Sequence, residues 1–277
     1  MCAAHRGLAC AVAIALLGAV AEGVFAQETK KDASLQASIK ASAEQSTLDL
    51  GGGAKLELLL IRPGTFMMGD EKGGADEKPV HKVTITKPFY LGKYKVTQQQ
   101  WEALMGSNPS NAKSPANPVE RVSWEDCQAF LKKLDEKFGD KAVKFSLPTE
   151  AQWEYACRAG STTKYCFGDK EADLGRYAWF IANSKDKIHS VGEKKANAWG
   201  LYDVHGDAWE WCADWYDKAY YKASPANDPP GPASGIFRVC RGSSWDNTAP
   251  DCRSAFRLFG APSDRFAYIS LRVACGW

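Results

Sequence analysis

The residues of this sequence with the most chemical potential are its cysteines. The chain has 277 residues and nine cysteines, and no two of them stand in the C-x-x-C spacing that is typical of zinc and dithiol redox sites. Two lie in an apolar leader, which leaves seven: Cys127, Cys157, Cys166, Cys212, Cys240, Cys252 and Cys275. Seven is an odd number, so at least one thiol is expected to be free or to pair between chains.

A second candidate for chemistry is the stretch 200–211, in which Asp203 and Glu210 flank the tight turn expected at Gly206. Two carboxylates and nearby backbone carbonyls are hard oxygen ligands, which suit Ca²⁺. The alternative is a turn whose carboxylates cap neighbouring amides while Trp209 and Trp211 fill the core. The spacing does not distinguish the two.

Several enzyme motifs are absent from the sequence, namely G-x-S-x-G, the P-loop, G-x-G-x-x-G after a strand and H-E-x-x-H. Beyond the leader, His81, His189 and His205 are widely spaced. We expect each to be a surface or hydrogen-bonding residue, and a three-histidine metal site stays open. The formal charge of +2 gives no support for a nucleic-acid partner.

The first 26 residues have the pattern of a secretory signal peptide. His5 and Arg6 precede an apolar run over 8–20, and small residues before Gln27 predict cleavage there. The run is too short to span a membrane, so no transmembrane segment is expected. We therefore predict export to the periplasm, the cell surface or the extracellular space, where disulfides are permitted.

The rest of the chain divides into a tail and one domain. Residues 27–53 are polar and end in three glycines, which predicts a flexible N-terminal segment, and residues 54–277 are predicted to form a single α+β domain. Helices are predicted to start at Thr97, Ser123 and Thr149, because each precedes Gln, Asp or Glu side chains suited to a capping box. Strands are predicted at 56–61, 82–86, 89–96 and 237–240. The 10 tryptophans and 24 glycines predict loops held by aromatic anchors.

A set of motifs in this order resembles the formylglycine-generating enzyme (sulfatase-modifying factor) family. The motifs are PGTFMMG at 63–69, LPTEAQWEY at 147–155, NAWGLYD at 197–203, WEW at 209–211, RVCRGSSW at 238–245 and CRSAFR at 252–257. They extend over nearly the whole predicted domain. The resemblance implies a variant of the C-type lectin fold, with a small sheet, a few helices and many loops.

The family's best-known activity is the copper-assisted oxidation of a sulfatase cysteine to formylglycine, which uses two cysteines around a loop that follows a Gly-Gly-Ser motif. The corresponding stretch here, 242–251, contains no cysteine, and thiolates are the ligands that Cu(I) prefers. Cys252 is the one thiol nearby, and it matches a position common in members without the catalytic pair. An oxidase with copper at Cys252 is therefore the alternative hypothesis.

The resemblance also implies a structural calcium site and disulfides. The calcium ligands would be the Asp203 and Glu210 carboxylates and the carbonyls of Gly206 and Ala208. The pairings considered are Cys212 with Cys252 and Cys157 with Cys275, and neither follows from the sequence alone.

The C-terminal stretch predicts a binding surface, because it interleaves framework-like residues with large apolar ones in a loop region. It is similar to the variable stretch of retroelement-diversified ligand-binding proteins with this fold. We therefore predict an exported, non-catalytic module for a protein or small-molecule ligand. The predicted contact residues are Trp245, Asp246, Asn247, Phe256, Leu258, Phe259, Phe266 and Tyr268.

Overall fold

A computed structural model describes residues 44–139 and 143–276 of the chain. The predicted signal peptide at 1–26 and residues 27–43 of the predicted N-terminal segment lie outside the described residues. Within the two described ranges, no helix is both long enough and apolar enough to cross a bilayer.

Three α-helices form in the described residues: α1 (Gln98–Met105), α2 (Trp124–Phe138) and α3 (Glu150–Arg158). Their N-caps are the predicted Thr97, Ser123 and Thr149. Each cap hydroxyl accepts the N–H of the third helical residue, whose side chain in turn accepts the backbone N–H of the cap. These bonds satisfy amides that a first helical turn leaves open. All three predicted helix starts are confirmed.

The described strands are short and belong to three sheets. In chain order they are β1 (Gln45–Gly51), β2 (Ala54–Ile61), β3 (Gly64–Met68), β4 (His81–Ile85), β5 (Phe89–Gly92), β6 (Lys144–Ser146), β7 (Trp209–Trp215), β8 (Arg238–Arg241), β9 (Leu258–Gly260), β10 (Ile269–Ser270) and β11 (Ala274–Gly276). The sheet orders are β1-β2-β5-β11-β6, β10-β7-β8-β9 and β3-β4. Every pairing is antiparallel except that of β10 with β7. The α+β class is confirmed, and the four predicted strands correspond to β2, β4, β5 and β8, although β5 ends at Gly92 and not at the predicted residue 96.

The structure corrects the predicted boundary at residue 54. β1 pairs with β2, and Leu48 and Leu50 of β1 are buried. Residues 51–53 form the turn between the two strands, with φ angles of 93°, 60° and 78° that suit glycine. The predicted flexible segment therefore overlaps the sheet, because the polarity of the whole segment masks the two-residue alternation of its leucines.

Tryptophans occupy the centre of the fold. Trp153 on α3 and Trp209 and Trp211 on β7 are each at most 2% exposed. A Cβ on Gly242 would lie 2.9 Å from the Trp153 ring, so glycine permits the close approach of the chain after β8. Between α3 and β7 the regular structure is one 3-10 segment, Glu171–Arg176, which agrees with the predicted loop-rich, tryptophan-anchored architecture.

Candidate functional site

Six of the predicted contact residues gather around the start of β7. We call Trp245, Asp246, Asn247, Phe256, Phe266 and Tyr268 the C-terminal patch. The buried Trp209 is its floor: its indole N–H donates to Asn247 Oδ1 at 2.9 Å, its ring centroid lies 5.9 Å from that of Phe256, and its backbone N–H donates to the Tyr268 carbonyl at 2.8 Å.

The rim of the C-terminal patch is partly open to solvent. Phe266 is 39% exposed and stacks on Tyr268 at 5.1 Å between ring centroids. The Trp245 indole N–H donates to the Ala267 carbonyl at 3.4 Å, and Ser244 Oγ donates to Asp246 Oδ1 at 2.5 Å. These contacts hold aromatic and polar groups in one place without burying them.

A buried arginine fixes the backbone beneath the C-terminal patch. Arg241, at the end of β8, donates from its guanidinium to the carbonyls of Ser254, Ala255 and Phe256 at 2.8–3.0 Å. The same guanidinium is paired with the Glu154 carboxylate of α3. Arg241 therefore ties the loop that carries Phe256 to the helical core.

Phe259 does not belong to the C-terminal patch. It is 43% exposed and stacks on Tyr216, beyond the far end of β7, with ring centroids 4.3 Å apart, and it also meets Phe237 at 5.0 Å. Its neighbour Leu258 is half-buried on β9, and successive strand residues face opposite sides of a sheet. The eight predicted contact residues therefore do not form one surface, because Phe259 lies in a separate aromatic cluster with Tyr216 and Phe237.

Cys252, the thiol required by the oxidase hypothesis, is buried. It is 1% exposed, and its Sγ donates to Ser243 Oγ at 3.3 Å. Burial raises its pKa to about 12, so the sulfur is a thiol at neutral pH, whereas the thiolate is the nucleophile and the metal ligand. The groups around this sulfur do not suit copper, because Ser243 Oγ and the Thr248 carbonyl are hard oxygen atoms whereas Cu(I) prefers thiolates.

Neither of the two disulfide pairings considered is present in the described residues. None of the seven cysteines in the described residues is disulfide-bonded, and six of them are buried. Cys275 lies on β11, in register with Tyr90 and Phe145, whereas Cys157 Sγ is directed at the Val204 carbonyl, 3.8 Å away. Cys212 lies within β7, and Cys252 ends the 3-10 segment Ala249–Cys252.

The predicted calcium ligand Glu210 lies in a buried ion-pair cluster. Its Oε1 meets Lys95 Nζ at 2.9 Å and Arg272 Nη2 at 2.8 Å, and its Oε2 accepts from Trp153 Nε1 at 2.8 Å and Arg272 Nε at 2.9 Å. The side chains of Lys95, Glu210 and Arg272 are fully buried. Burial alone would raise the pKa of Glu210, but Arg272 and Lys95 lower it to about 2.

Calcium does not fit this arrangement. Both Glu210 oxygens already accept hydrogen bonds from cationic side chains, and the Gly206 carbonyl accepts the Ala208 N–H at 3.0 Å. Lys95 Nζ also donates to the Asp203 carbonyl at 2.5 Å. The ammonium group therefore lies between Asp203 and Glu210, where the sequence predicts the metal ion.

Asp203 and Asp207 add two buried carboxylates beside this cluster. Asp203 Oδ2 accepts the Gly192 N–H and Asp207 Oδ1 accepts the His189 N–H, while the second oxygen of each has no partner in the described residues. Burial and then the Asp203 charge raise the pKa of Asp207 well above its ordinary range. Burial and the neighbouring Asp203 carboxylate therefore disfavour the ionised form of Asp207.

The three histidines have separate structural roles, as predicted. His205 is fully buried, donates from Nδ1 to the Cys252 carbonyl at 2.8 Å and accepts the Cys166 N–H at Nε2. Burial lowers its pKa to about 4, so the ring is neutral. His189 stacks on Trp179, and His81 packs against Tyr221.

Sequence reasoning missed the role of Lys95 and a pocket beside β3. The available signal for Lys95 was its position between Tyr94 and Val96 in a predicted strand, since a buried lysine needs a carboxylate partner. The pocket had no local signal. Its lining comes from four separate segments, around residues 65–67, 82, 155–162 and 199.

Residues 53–276 match the family described as the sulfatase-modifying factor enzyme 1-like domain. The formylglycine-generating enzyme of Streptomyces coelicolor is 29% identical over 239 residues, which cover 81% of this chain and 68% of that enzyme. The chain spans 35–38% of the length of three further relatives.

Two solved structures share the fold over nearly their full length. Treponema denticola variable protein 1 has a TM-score of 0.77 and 30% identity, covering 84% of this chain and 99% of that one. PvdO from Pseudomonas aeruginosa has a TM-score of 0.74 and 26% identity, covering 84% of this chain and 98% of that one. These matches confirm the predicted variant of the C-type lectin fold.

Proposed function

Because this chain belongs to the sulfatase-modifying factor family, we propose that it is an exported, non-catalytic binding module whose contact surface is the C-terminal patch. The observation that carries the proposal is the buried Trp209 floor beneath a partly exposed rim that includes Phe266 and Tyr268. Preorganised aromatic side chains of this kind dominate binding energies, because little conformational entropy is lost when a ligand docks.

Two further observations support a binding role. The match to a protein named a variable protein extends over 99% of that chain, which suits a scaffold that tolerates changes in its contact side chains. The fixed parts, Trp209 and Arg241, hold the backbone through buried hydrogen bonds, so rim side chains can be replaced with little effect on the core. The leader at 1–26 supports export.

Alanine substitutions test the contact surface. A probe is first selected on the wild-type protein from a displayed random-peptide library and a glycan array. We expect Phe266→Ala and Tyr268→Ala each to weaken binding of that probe at least about tenfold, a typical hot-spot loss. Affinity would be measured by calorimetry.

Phe259→Ala is the matched control for this experiment. Phe259 and Phe266 are similarly exposed, at 43% and 39%, but Phe259 lies in the Tyr216 cluster. Its substitution is expected to leave the affinity unchanged. A loss of affinity in Phe259→Ala, with none in Phe266→Ala or Tyr268→Ala, would place the contact surface elsewhere.

The alternative function is a formylglycine-generating oxidase, which is favoured by the similarity to an enzyme of that name. The buried Cys252 thiol opposes it, because its pKa is raised to about 12. We expect no aldehyde product when the protein is incubated with copper and a Cys-x-Pro-x-Arg peptide. Mass spectrometry would detect the product, and turnover that is lost in Cys252→Ser would establish the oxidase instead.

A further inference from the structure

Strand β3 pairs with β4 along one edge only. In an antiparallel pair, hydrogen-bonded and non-hydrogen-bonded residue pairs alternate, so the register shows which backbone N–H and C=O groups of β3 point to the other edge. Thr84 of β4 turns its backbone away from β3: its N–H donates to the Ala226 carbonyl at 2.7 Å, and its carbonyl accepts the Asp228 N–H at 2.9 Å. Thr65 and Thr84 are therefore a non-hydrogen-bonded pair. Their hydroxyl oxygens lie 3.0 Å apart, as the close side chains of such a pair should.

It follows that Thr65 and Met67 direct their backbone N–H and C=O groups away from β4. The next residue in this phase is Gly69, whose N–H donates to Glu154 Oε1 at 3.0 Å and whose carbonyl accepts from Arg158 Nη2 at 2.9 Å. Side chains of α3 thus close the edge at Gly69. No partner for the outward groups of Thr65 or Met67 is found among residues 44–139 and 143–276. An open strand edge is a template for another strand.

Residues 65–67 of this strand line a pocket of about 330 Å³. Residues 160–162 also line it, and Phe66, Tyr155 and Trp199 contribute aromatic surface. The Phe66 and Tyr155 ring centroids are 5.3 Å apart, and those of Tyr155 and Trp199 are 4.9 Å apart. The pocket therefore offers an apolar contact beside unpaired backbone groups.

The charged side chains that line this pocket are both basic. They are Lys82 and Arg158, and no carboxylate lines it. Arg158 is paired with Glu154 at 2.8 Å, whereas Lys82 makes no ion pair within the described residues. Lys82 lies opposite Met67 in the β3–β4 register, one strand away from the open edge, and its side chain reaches the same pocket. A carboxylate on the occupant would complement its charge.

We propose that this edge binds an extended peptide segment that adds to β3 as a further strand, with an apolar side chain against the aromatic wall and a carboxylate beside Lys82. Main-chain hydrogen bonds to Thr65 and Met67 would give affinity, and the two side-chain contacts would give specificity. None of these residues belongs to the C-terminal patch, so the proposal stands independently of the proposed function.

A peptide titration against the full chain tests the proposal. The probe is a fluorescein-labelled hexapeptide of alternating valine and glutamate, followed by anisotropy. We expect saturable binding, slower amide hydrogen exchange at Thr65 and Met67, and at least about tenfold weaker binding when the peptide amides that face β3 are N-methylated.

Charge variants provide the second readout. Lys82→Glu is expected to weaken binding of the valine–glutamate peptide by about tenfold or more. The same variant is expected to bind a matched valine–lysine peptide more tightly than the wild type does. Lys132→Glu, on the exposed face of α2, where Lys132 pairs with Glu136 at 3.9 Å, is the control and should change neither affinity.

Three outcomes would overturn the proposal. The first is an absence of saturable binding at millimolar peptide. The second is equal binding of the N-methylated peptide, or unchanged exchange at Thr65 and Met67 at saturation. The third is dimerisation of the free chain in sedimentation with both amides already protected, which would make a second copy of the chain the occupant.

Discussion

Replacing Glu210 by alanine is expected to lower the free energy of unfolding by about 3–5 kcal/mol, as for other buried ion pairs that lose one partner. The substitution leaves Lys95 and Arg272 fully buried without their carboxylate and removes the acceptor of the Trp153 indole N–H. Domains are typically stable by about 5–15 kcal/mol, so a large fraction of the stability is at stake. Urea unfolding followed by tryptophan fluorescence measures it.

The control is Glu57→Ala. Glu57 pairs with Lys93 at 3.0 Å, nearly the Glu210–Lys95 distance, but the two side chains are 31% and 23% exposed. Loss of this exposed ion pair should lower the free energy of unfolding by less than about 1 kcal/mol. Because the Glu210 oxygens are already taken, calcium should leave the wild-type unfolding midpoint unchanged. Two results would contradict the conclusion that the Lys95 ammonium group takes the position of a calcium ion. One is an equal loss of unfolding free energy in the two variants, and the other is a clear rise of the wild-type midpoint with calcium.

The second large effect is a pH dependence removed by Asp214→Asn. Burial, and then the Glu150 carboxylate, raise the pKa of Asp214 to about 7, whereas an aspartate in an unfolded chain titrates near 3.9. Between roughly pH 4 and 7 the folded state holds a proton that the unfolded state has lost. Stability therefore falls as the pH rises through this window, by up to about 4 kcal/mol.

Asparagine keeps the acceptor for the Glu150 N–H, which lies 2.8 Å from Asp214 Oδ2, and cannot ionise. We expect Asp214→Asn to match the wild type at about pH 4 and to be several kcal/mol more stable at about pH 8, in urea unfolding at each pH. Asp49→Asn is the control, since Asp49 accepts the Gly51 N–H at 2.9 Å but is exposed. Parallel pH profiles for wild type and Asp214→Asn would refute the assignment.

Local signals predicted the helices but not every strand. Thr97, Ser123 and Thr149 mark α1 to α3 because a cap and its partner are three residues apart. β1 escaped prediction because a two-residue alternation in a polar segment is a weak signal until a partner strand buries its leucines.

The candidate site was predicted unevenly for the same reason. The motifs located the C-terminal patch, yet only the register of β7, β8 and β9 separates Phe259 from it. Counting cysteines suggested disulfides, but their pairing depends on contacts between elements far apart in the chain, and none of the seven described cysteines is disulfide-bonded.

By itself the sequence determined the family, the α+β class and the helix starts, since these depend on residue types and short-range spacing. Tertiary structure alone decided that Lys95 takes the position predicted for calcium, 108 residues from its Asp203 acceptor. It also decided that β3 keeps one open edge, because β4 is its one partner strand in a two-stranded sheet. Burial and hydrogen-bond partners are set by contacts between distant segments, and no local pattern encodes them.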